Sequence, residues 1–373
     1  MNNPKAAGRL RKGGRSREAK GGRSAEARPA RMQMTDMDLP FFVLVMLLVS
    51  MGLVMVYSAS YANAFYRFGD SYYFIRSQLM WAALGTLVML LTARFLTDRL
   101  LRMAVLPTFV FSIATLVLVL FIGTVKYGAK RWLFGFQPSE VAKFAVILAM
   151  SWLICRQQKK MNTLREGILP CGALLVLFCG LIALERHVSA TVLVFAIGAV
   201  MMFVGGAHLG WMLGFGVTGV LGVAGIILVS PHAMERMKIW LDPFLDPLDA
   251  GFQTIQSLYA IGSGGLFGLG IGKSRQKYLY IPEPQNDFIF SIACEELGFV
   301  GALLIILLFV LLIWRGFTIA FKAPDRFSAL VSVGIMSQVA IQTILNIGVV
   351  TNLVPNTGIS LPFFSAGGTS LIM

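Results

Sequence analysis

Asp287 stands where a polar stretch turns apolar, inside "IPEPQNDFIFSIACEELG" (281–298). Four of the chain's eighteen acidic residues fall in those eighteen positions: Glu283, Asp287, Glu295 and Glu296. A carboxylate beside Phe288, Ile289 and Phe290 loses hydration, which raises its pKa unless a cation offsets the loss. That is the usual setting of a general base. Asp is also a preferred N-cap, and a helix beginning at Phe288 would use it as one. On the residues alone both roles stay open.

Other residue types with chemical capacity lie around it. Six glycines fall between Gly262 and Gly272, followed by Lys273, Arg275 and Lys277. "FGLGIGKS" is not a P-loop, because that pattern needs glycine where Phe267 stands. Exposed amides beside three cations could still hold a pyrophosphate; equally, the glycines could permit close backbone packing. Glu140 and Lys143 are three residues apart, on one helix face, and able to pair. Lys130 and Arg131 make the loop before them basic. Gln338, Gln342 and Asn346 recur every fourth residue, a stripe that either bonds to another helix or lines a cavity. Glu185, Arg186 and His187 offer one carboxylate and one imidazole, too few for a metal site. The spacing of Cys155, Cys171, Cys179 and Cys294 fits neither zinc nor a disulfide framework, so they read as small buried hydrophobes.

The elements that must position these groups are membrane helices. The chain is 57% hydrophobic and 13% charged, too little polar surface for a soluble domain. The fold class expected is all-α, a polytopic membrane protein with about ten transmembrane helices. Apolar segments of roughly spanning length run over 40–60, 77–97, 103–123, 138–155, 167–184, 189–207, 210–230, 288–313, 328–350 and 358–373. The last stops at Met373 after about sixteen apolar residues, fewer than a span needs, so its helix is expected to be truncated. Residues 1–36 form a Gly-, Ala- and Arg-rich tail with no apolar period, expected to be disordered. The first 35 residues hold ten Lys/Arg and two Glu, +8 of the net +14. With that tail inside, the basic loops 93–102, 155–165 and 314–326 also face inward, as the positive-inside rule requires. The same rule explains the basic tail without nucleic acid, so no nucleic-acid partner is expected. The membrane domain is then 37–373, with a large extracytoplasmic loop, 231–287, between helices 7 and 8. Eight of the eighteen acids lie between Glu235 and Glu296, and long ordered loops are usually functional. Glu295 and Glu296, at the top of the eighth span, are expected to pair with loop cations.

Five stretches together carry a resemblance: "YSAS" (57–60), "AKRWL…QPSEVAK" (129–143), "QSLYAIGSGGLFGLGIGKSRQK" (256–277), "PEPQNDFIFSIACEELG" (282–298) and "NIGVVTNLVPNTGISLPFFSAGGTSL" (346–371). The chain resembles the SEDS family of peptidoglycan polymerases, which includes FtsW, RodA and SpoVE, from about residue 40 to its end. The resemblance implies ten helices in the bacterial cytoplasmic membrane with both termini cytoplasmic. It implies polymerisation of lipid II into β-1,4 glycan strands on the outer face during division or sporulation. The alternatives are a lipid II flippase and a non-catalytic scaffold for a transpeptidase. The family's essential loop aspartate falls on Asp287, and its transmembrane Glu/Lys pair on Glu140 and Lys143. Lys130, Arg131, Lys273 and Lys277, with Gln256 and Ser257, are the expected substrate-binding residues. A divalent cation, magnesium or manganese, is a candidate cofactor, and no organic cofactor is expected. The implied partners are a class B penicillin-binding protein and other divisome or sporulation proteins. Three positions depart from the family's pattern: Arg186, Asn352 and Asn356.

Overall fold

Helix α1 (Leu39–Phe68) starts where the Asp38 carboxylate accepts the Phe41 amide, and it stops at Gly69, whose φ of 69° continues no helix. Its 30 residues rise about 45 Å, more than a hydrocarbon core of about 30 Å. The computed structural model describes residues 37–373 except 127, 128, 134, 186, 369, 370, 372 and 373. The expected tail, 1–36, and Arg186 lie outside the described residues. Ten more helices follow: α2 (Tyr73–Phe95), α3 (Asp98–Ile122), α4 (Pro138–Arg156), α5 (Leu169–Leu184), α6 (Val188–Val204), α7 (Leu209–Val229), α8 (Pro231–Leu241), α9 (Phe252–Ser263), α10 (Ile289–Phe321) and α11 (Arg326–Val350). Between α3 and α4 an antiparallel hairpin pairs β1 (Thr124–Lys126) with β2 (Ala129–Trp132).

The chain is therefore an all-α, multi-pass membrane protein with one small hairpin. Among the described residues eight helices are long and apolar enough to cross a membrane, not ten. The expected sixth span forms as α6, but with 17 residues it is short. Among the described residues the expected tenth span (358–373) does not appear as a spanning helix: 358–367 are not helical, and 369, 370, 372 and 373 lie outside the described residues. Residues 351–367 run as turns and irregular chain, with Asn352 and Phe363 at φ 57° and 65° and Gly358 at 66°. Pro355 and Pro362 also interrupt any helical ladder. The first ten residues of that apolar run, 358–367, belong to a largely buried, folded-back segment.

Two cores hold the bundle. One joins α3, α4, α5, α6 and the start of α11; α4 is its centre, with 72% of its most apolar window buried against 11% for α2. The other joins α1, α9, α10 and the end of α11, and takes in Leu361 and Phe364 from the folded-back segment. All four cysteines are free, with Cys171 and Cys294 buried. At one end of the bundle Asp38 pairs with Arg315, 2.7 Å, and Arg102 with Asp325, 2.5 Å. These bridges bring the start of α1, the α2–α3 turn and the α10–α11 turn to the same end.

Helix α10 is broken at Gly298 (φ 70°, ψ −171°). The break frees carbonyls and amides that lipid could not satisfy. The glycine-rich segment supplies the missing partners: Leu269 and Gly270 donate to the Glu295 and Glu296 carbonyls, 2.9 and 3.0 Å, while Phe299 and Val300 donate to the Gly265 and Leu266 carbonyls, 2.9 and 3.1 Å. A Cβ on Gly298 would lie 2.2 Å from the Gly268 nitrogen. Close backbone packing is thus one task of these glycines.

Candidate functional site

At the opposite end of the bundle from the Asp38 and Arg102 bridges, a cavity of about 520 Å³ opens between β2, the ends of α4 and α6, α8, α9, the 282–287 turn and the folded-back segment. Asp287, Arg131, Glu140 and Lys143 all line it. Each reaches it from a different local cause. Arg131 is carried in by the hairpin. Glu140 and Lys143 occupy the first turns of α4, which Pro138 starts; their charges pair at 2.7 Å with Lys143 almost wholly buried. Asp287 ends the irregular chain immediately before α10.

Asp287 does not cap that helix. The N-cap position is Phe288, with no side-chain cap bond. The Asp287 main chain is fixed instead: Asn346 Nδ2 donates to its carbonyl, 2.8 Å, and to the Ile359 carbonyl, 2.7 Å. Gln342 Nε2 likewise donates to the Ser360 carbonyl, 3.0 Å. In the polar stripe of α11, Gln342 and Asn346 thus bond to the folded-back segment, and Gln342 also lines the cavity. Below the carboxylate, a Cβ at Gly358 would come 3.2 Å from Oδ2. Burial pushes the Asp287 carboxyl up to about 6; Arg131 and Arg236 pull it down, and Glu283 adds to the rise.

Arg236 was not among the substrate residues expected from the sequence, nor was Arg67. Both line the cavity. Arg236 reaches it from α8, whose start is fixed by the Ser230 cap and Pro231, and donates to the Asn356 carbonyl, 3.3 Å. Burial lowers the pKa of both Arg131 and Arg236, repulsion from Arg236 adds to it at Arg131, and Asp287 opposes the shift in each. Arginine stays charged regardless. No local signal in the sequence places α8 over the cavity.

The other expected residues lie elsewhere. The Lys130 side chain lies outside the described residues. Lys273 is exposed and does not line the cavity. Lys277 is wholly buried, its Nζ 3.0 Å from Glu296 Oε1 and 3.2 Å from Ser58 Oγ. A desolvated ammonium needs a counterion, and Glu296 is that counterion. Glu295 accepts from the Arg275 and Gln276 amides, 2.9 and 3.4 Å, and from Ser274 Oγ. Ser257 is buried and joins α9 to Ser291 of α10 and the Val350 carbonyl of α11, each at 2.8 Å. Gln256 is half-buried beside it, also away from the cavity.

Glu185 is buried, and neither carboxylate oxygen has a hydrogen bond among the described residues. Burial drives it up to about 8 against the pull of Arg131. Burial drives His187 down to about 3, with Arg131, Lys143 and Arg236 adding to the effect; its Nδ1 lies 3.4 Å from Ser139 Oγ. At neutral pH the imidazole is uncharged. Among the described residues no three His, Cys, Asp or Glu side chains gather as a metal cage. The donor set does not fit a metal held by protein alone.

Two of the three departures from the family pattern have structural reasons. Asn352 adopts φ 57°, a conformation that glycine and asparagine tolerate best. It exchanges bonds with Trp240: the indole Nε1 donates to the Asn352 carbonyl, 3.2 Å, and Asn352 Nδ2 to the Trp240 carbonyl, 3.3 Å. Asn356 donates to Gln253 Oε1 and accepts from the Gly358 amide, both 3.3 Å. The two asparagines fasten α8 and α9 over the folded-back segment.

Residues 38–373 match the model of the cell cycle protein family of FtsW, RodA and SpoVE. Stage V sporulation protein E of Bacillus subtilis is 42% identical over 350 residues, covering 91% of this chain and 94% of that protein. A probable peptidoglycan glycosyltransferase FtsW of Trichlorobacter lovleyi is 38% identical, with 91% of each chain covered. A solved structure, described as showing structural coordination of polymerization and crosslinking by a peptidoglycan synthase complex, superposes with a TM-score of 0.73 at 30% identity, covering 90% of this chain and 93% of the other. The crystal structure of the Thermus thermophilus rod shape determining protein RodA gives 0.64 at 28% identity over 90% and 92%.

Proposed function

This chain belongs to the cell cycle protein family of FtsW, RodA and SpoVE, and from that membership we propose that it is a peptidoglycan glycosyltransferase acting on lipid II. The observation that carries the reading is the Asp287 carboxylate sharing one cavity with two half-buried arginines, Arg131 and Arg236. Transfer from a lipid diphosphate needs a base for the acceptor hydroxyl and positive charge for the departing diphosphate. Asp287 takes the proton from the acceptor 4-hydroxyl as its oxygen bonds to the donor's anomeric carbon. The bond from that carbon to the diphosphate breaks, and the diphosphate leaves as an anion beside Arg131 and Arg236. General-base assistance of this kind contributes about 10²–10⁴-fold, and preorganised cations stabilise the developing charge. No step is routed through a metal.

In a membrane the basic turns lie inside and the cavity outside. With α6 as a ninth crossing, an odd number of spans sets residues 351–367 on the outer face with Asp287. The partner we propose is a class B penicillin-binding protein. Its span would lie along α10, where Phe299, Val300, Leu303 and Leu307 are exposed.

The test is glycan synthesis from purified lipid II by the full chain with its transpeptidase, comparing wild type with Asp287→Asn. The amide keeps the shape and loses the basicity, so strand synthesis should stop while lipid II still binds. Strands made at the wild-type rate would end the base assignment; transbilayer movement of lipid II without any polymer would favour the flippase.

A further inference from the structure

Four residues before Asp287, Glu283 holds a backbone conformation that a side chain of its size rarely adopts, φ 46°. Such outliers cost about 1–3 kcal/mol and persist where the surroundings impose them. Here the surroundings are explicit. Prolines stand on both sides, Pro282 and Pro284. The Asn286 amide donates to the Glu283 carbonyl, 3.0 Å, and Asn286 Nδ2 to Glu283 Oε2, 2.9 Å. Arg67, at the end of α1, donates to Glu283 Oε1, 2.9 Å. Two further bonds hold the turn from outside: Gln253 Nε2 to the Pro282 carbonyl, 3.3 Å, and the Ala366 amide to the Gln285 carbonyl, 2.8 Å. Arg67, Glu283, Asn286 and Asp287 all line the one cavity.

We infer that Glu283 is a positioning residue: clamped by Arg67 and Asn286, it fixes the turn that aims Asp287 and sets the acidity at which Asp287 can act. The inference rests on Asp287 being the base. Its second part follows from charge. Glu283 is the negative group that opposes ionisation of Asp287, while Arg131 from β2 and Arg236 from α8 favour it. Glu140, Lys143 and His187 face the same cavity from α4 and α6. Arg67 neutralises part of the Glu283 charge through an ion pair that is half exposed, so its influence is open to salt.

Glu283 and Arg67 therefore make opposite predictions. In Glu283→Gln the repulsion is gone, the Asp287 proton is lost more readily, and the acid limb of kcat/KM moves to lower pH. In Arg67→Gln one positive charge is lost beside Glu283, and the limb moves to higher pH. Each shift should be roughly half a unit, and the Arg67 shift should shrink as salt is raised. Glu283→Asp keeps the charge and should keep the wild-type midpoint while lowering kcat, because the shorter side chain cannot hold both clamps. The experiment is the pH dependence of polymerisation by the full chain with its transpeptidase, with Asp287→Asn as the reference. Opposite shifts support the inference. Parallel shifts, or none, with Asp287→Asn inactive overturn it and leave the base standing. An active Asp287→Asn overturns both. If Glu283→Gln does not fold, the upward shift of the surface variant Arg67→Gln still decides.

Discussion

Asp287 combines two properties that rarely coexist: its main chain is pinned by Asn346, while its carboxylate faces a cavity. A base must be ionised to act, and its pKa is raised to about 6. Below that value the proton is held and the rate falls; above it the rate levels off. The kcat/KM profile should therefore show an acid limb with a midpoint near 6, read from initial rates between pH 5 and 8 (roughly the range that brackets such a group). A flat profile would separate Asp287 from the proton transfer. Glu140 and Lys143 allow a second prediction. Removing one partner of a buried pair strands the other, costing about 3–5 kcal/mol, whereas removing both leaves no orphan charge. Glu140→Ala and Lys143→Ala should each lower the unfolding temperature in detergent sharply, and the double variant should lose less than the sum. Strict additivity would show that the 2.7 Å pair has no energetic counterpart.

The glycine-rich segment acts as a splint for α10, and that role can be separated from any ligand binding. Gly298→Ala would force a Cβ to 2.2 Å from the Gly268 nitrogen, and Gly268→Ala one to 2.2 Å from the Glu296 carbonyl oxygen, both at positive φ. Each variant should unfold well below wild type. Gly262→Ala, with nothing within 4 Å, should be neutral or stabilising by up to about 1 kcal/mol. Equal losses in all three would remove the splint. Elements of this kind mark where the sequence stopped being readable. Hydropathy placed nine helices, though α1 and α10 each run eight residues past the expected end, because period and length are local properties. It misread 358–367, because turn residues such as Gly358 and Pro362 compete with apolar content and only tertiary bonds decide the outcome. Residue type and surroundings singled out Asp287, Glu140 and Lys143, and the fold brings all three to one cavity. The same signals chose Lys273 and Lys277 over Arg236 because charge in a long loop carries no label of direction; only the fold shows that Lys277 faces Glu296.

At the scale of the whole molecule, the ion pairs at one end and the cavity at the other define a polarity. The proposed orientation puts Lys273 outside and Lys160, beside the basic 155–165 turn, inside. Both are exposed. Lys273→Cys should react with a membrane-impermeant maleimide on intact cells, and Lys160→Cys only after permeabilisation. Buried Cys171 and Cys294 should add little background. The reverse pattern would invert the topology and move Asp287 to the cytoplasmic side.

The break in α10 also bears on how the protein is made. Below Gly298, residues 299–321 are long enough, at about 35 Å, to enter the bilayer as a helix on their own. Above it, residues 289–297 carry Glu295 and Glu296, and each charge would resist entering lipid by about 2.5–3.5 kcal/mol. The ribosome delivers residues 265–277 first, so the amides, Ser274 and Lys277 that receive those two glutamates are already synthesised when α10 emerges. Assembly then has an order. The lower piece is expected to insert first and the upper piece to dock afterwards on the glycine segment, so that the cavity beside Asp287 is completed last.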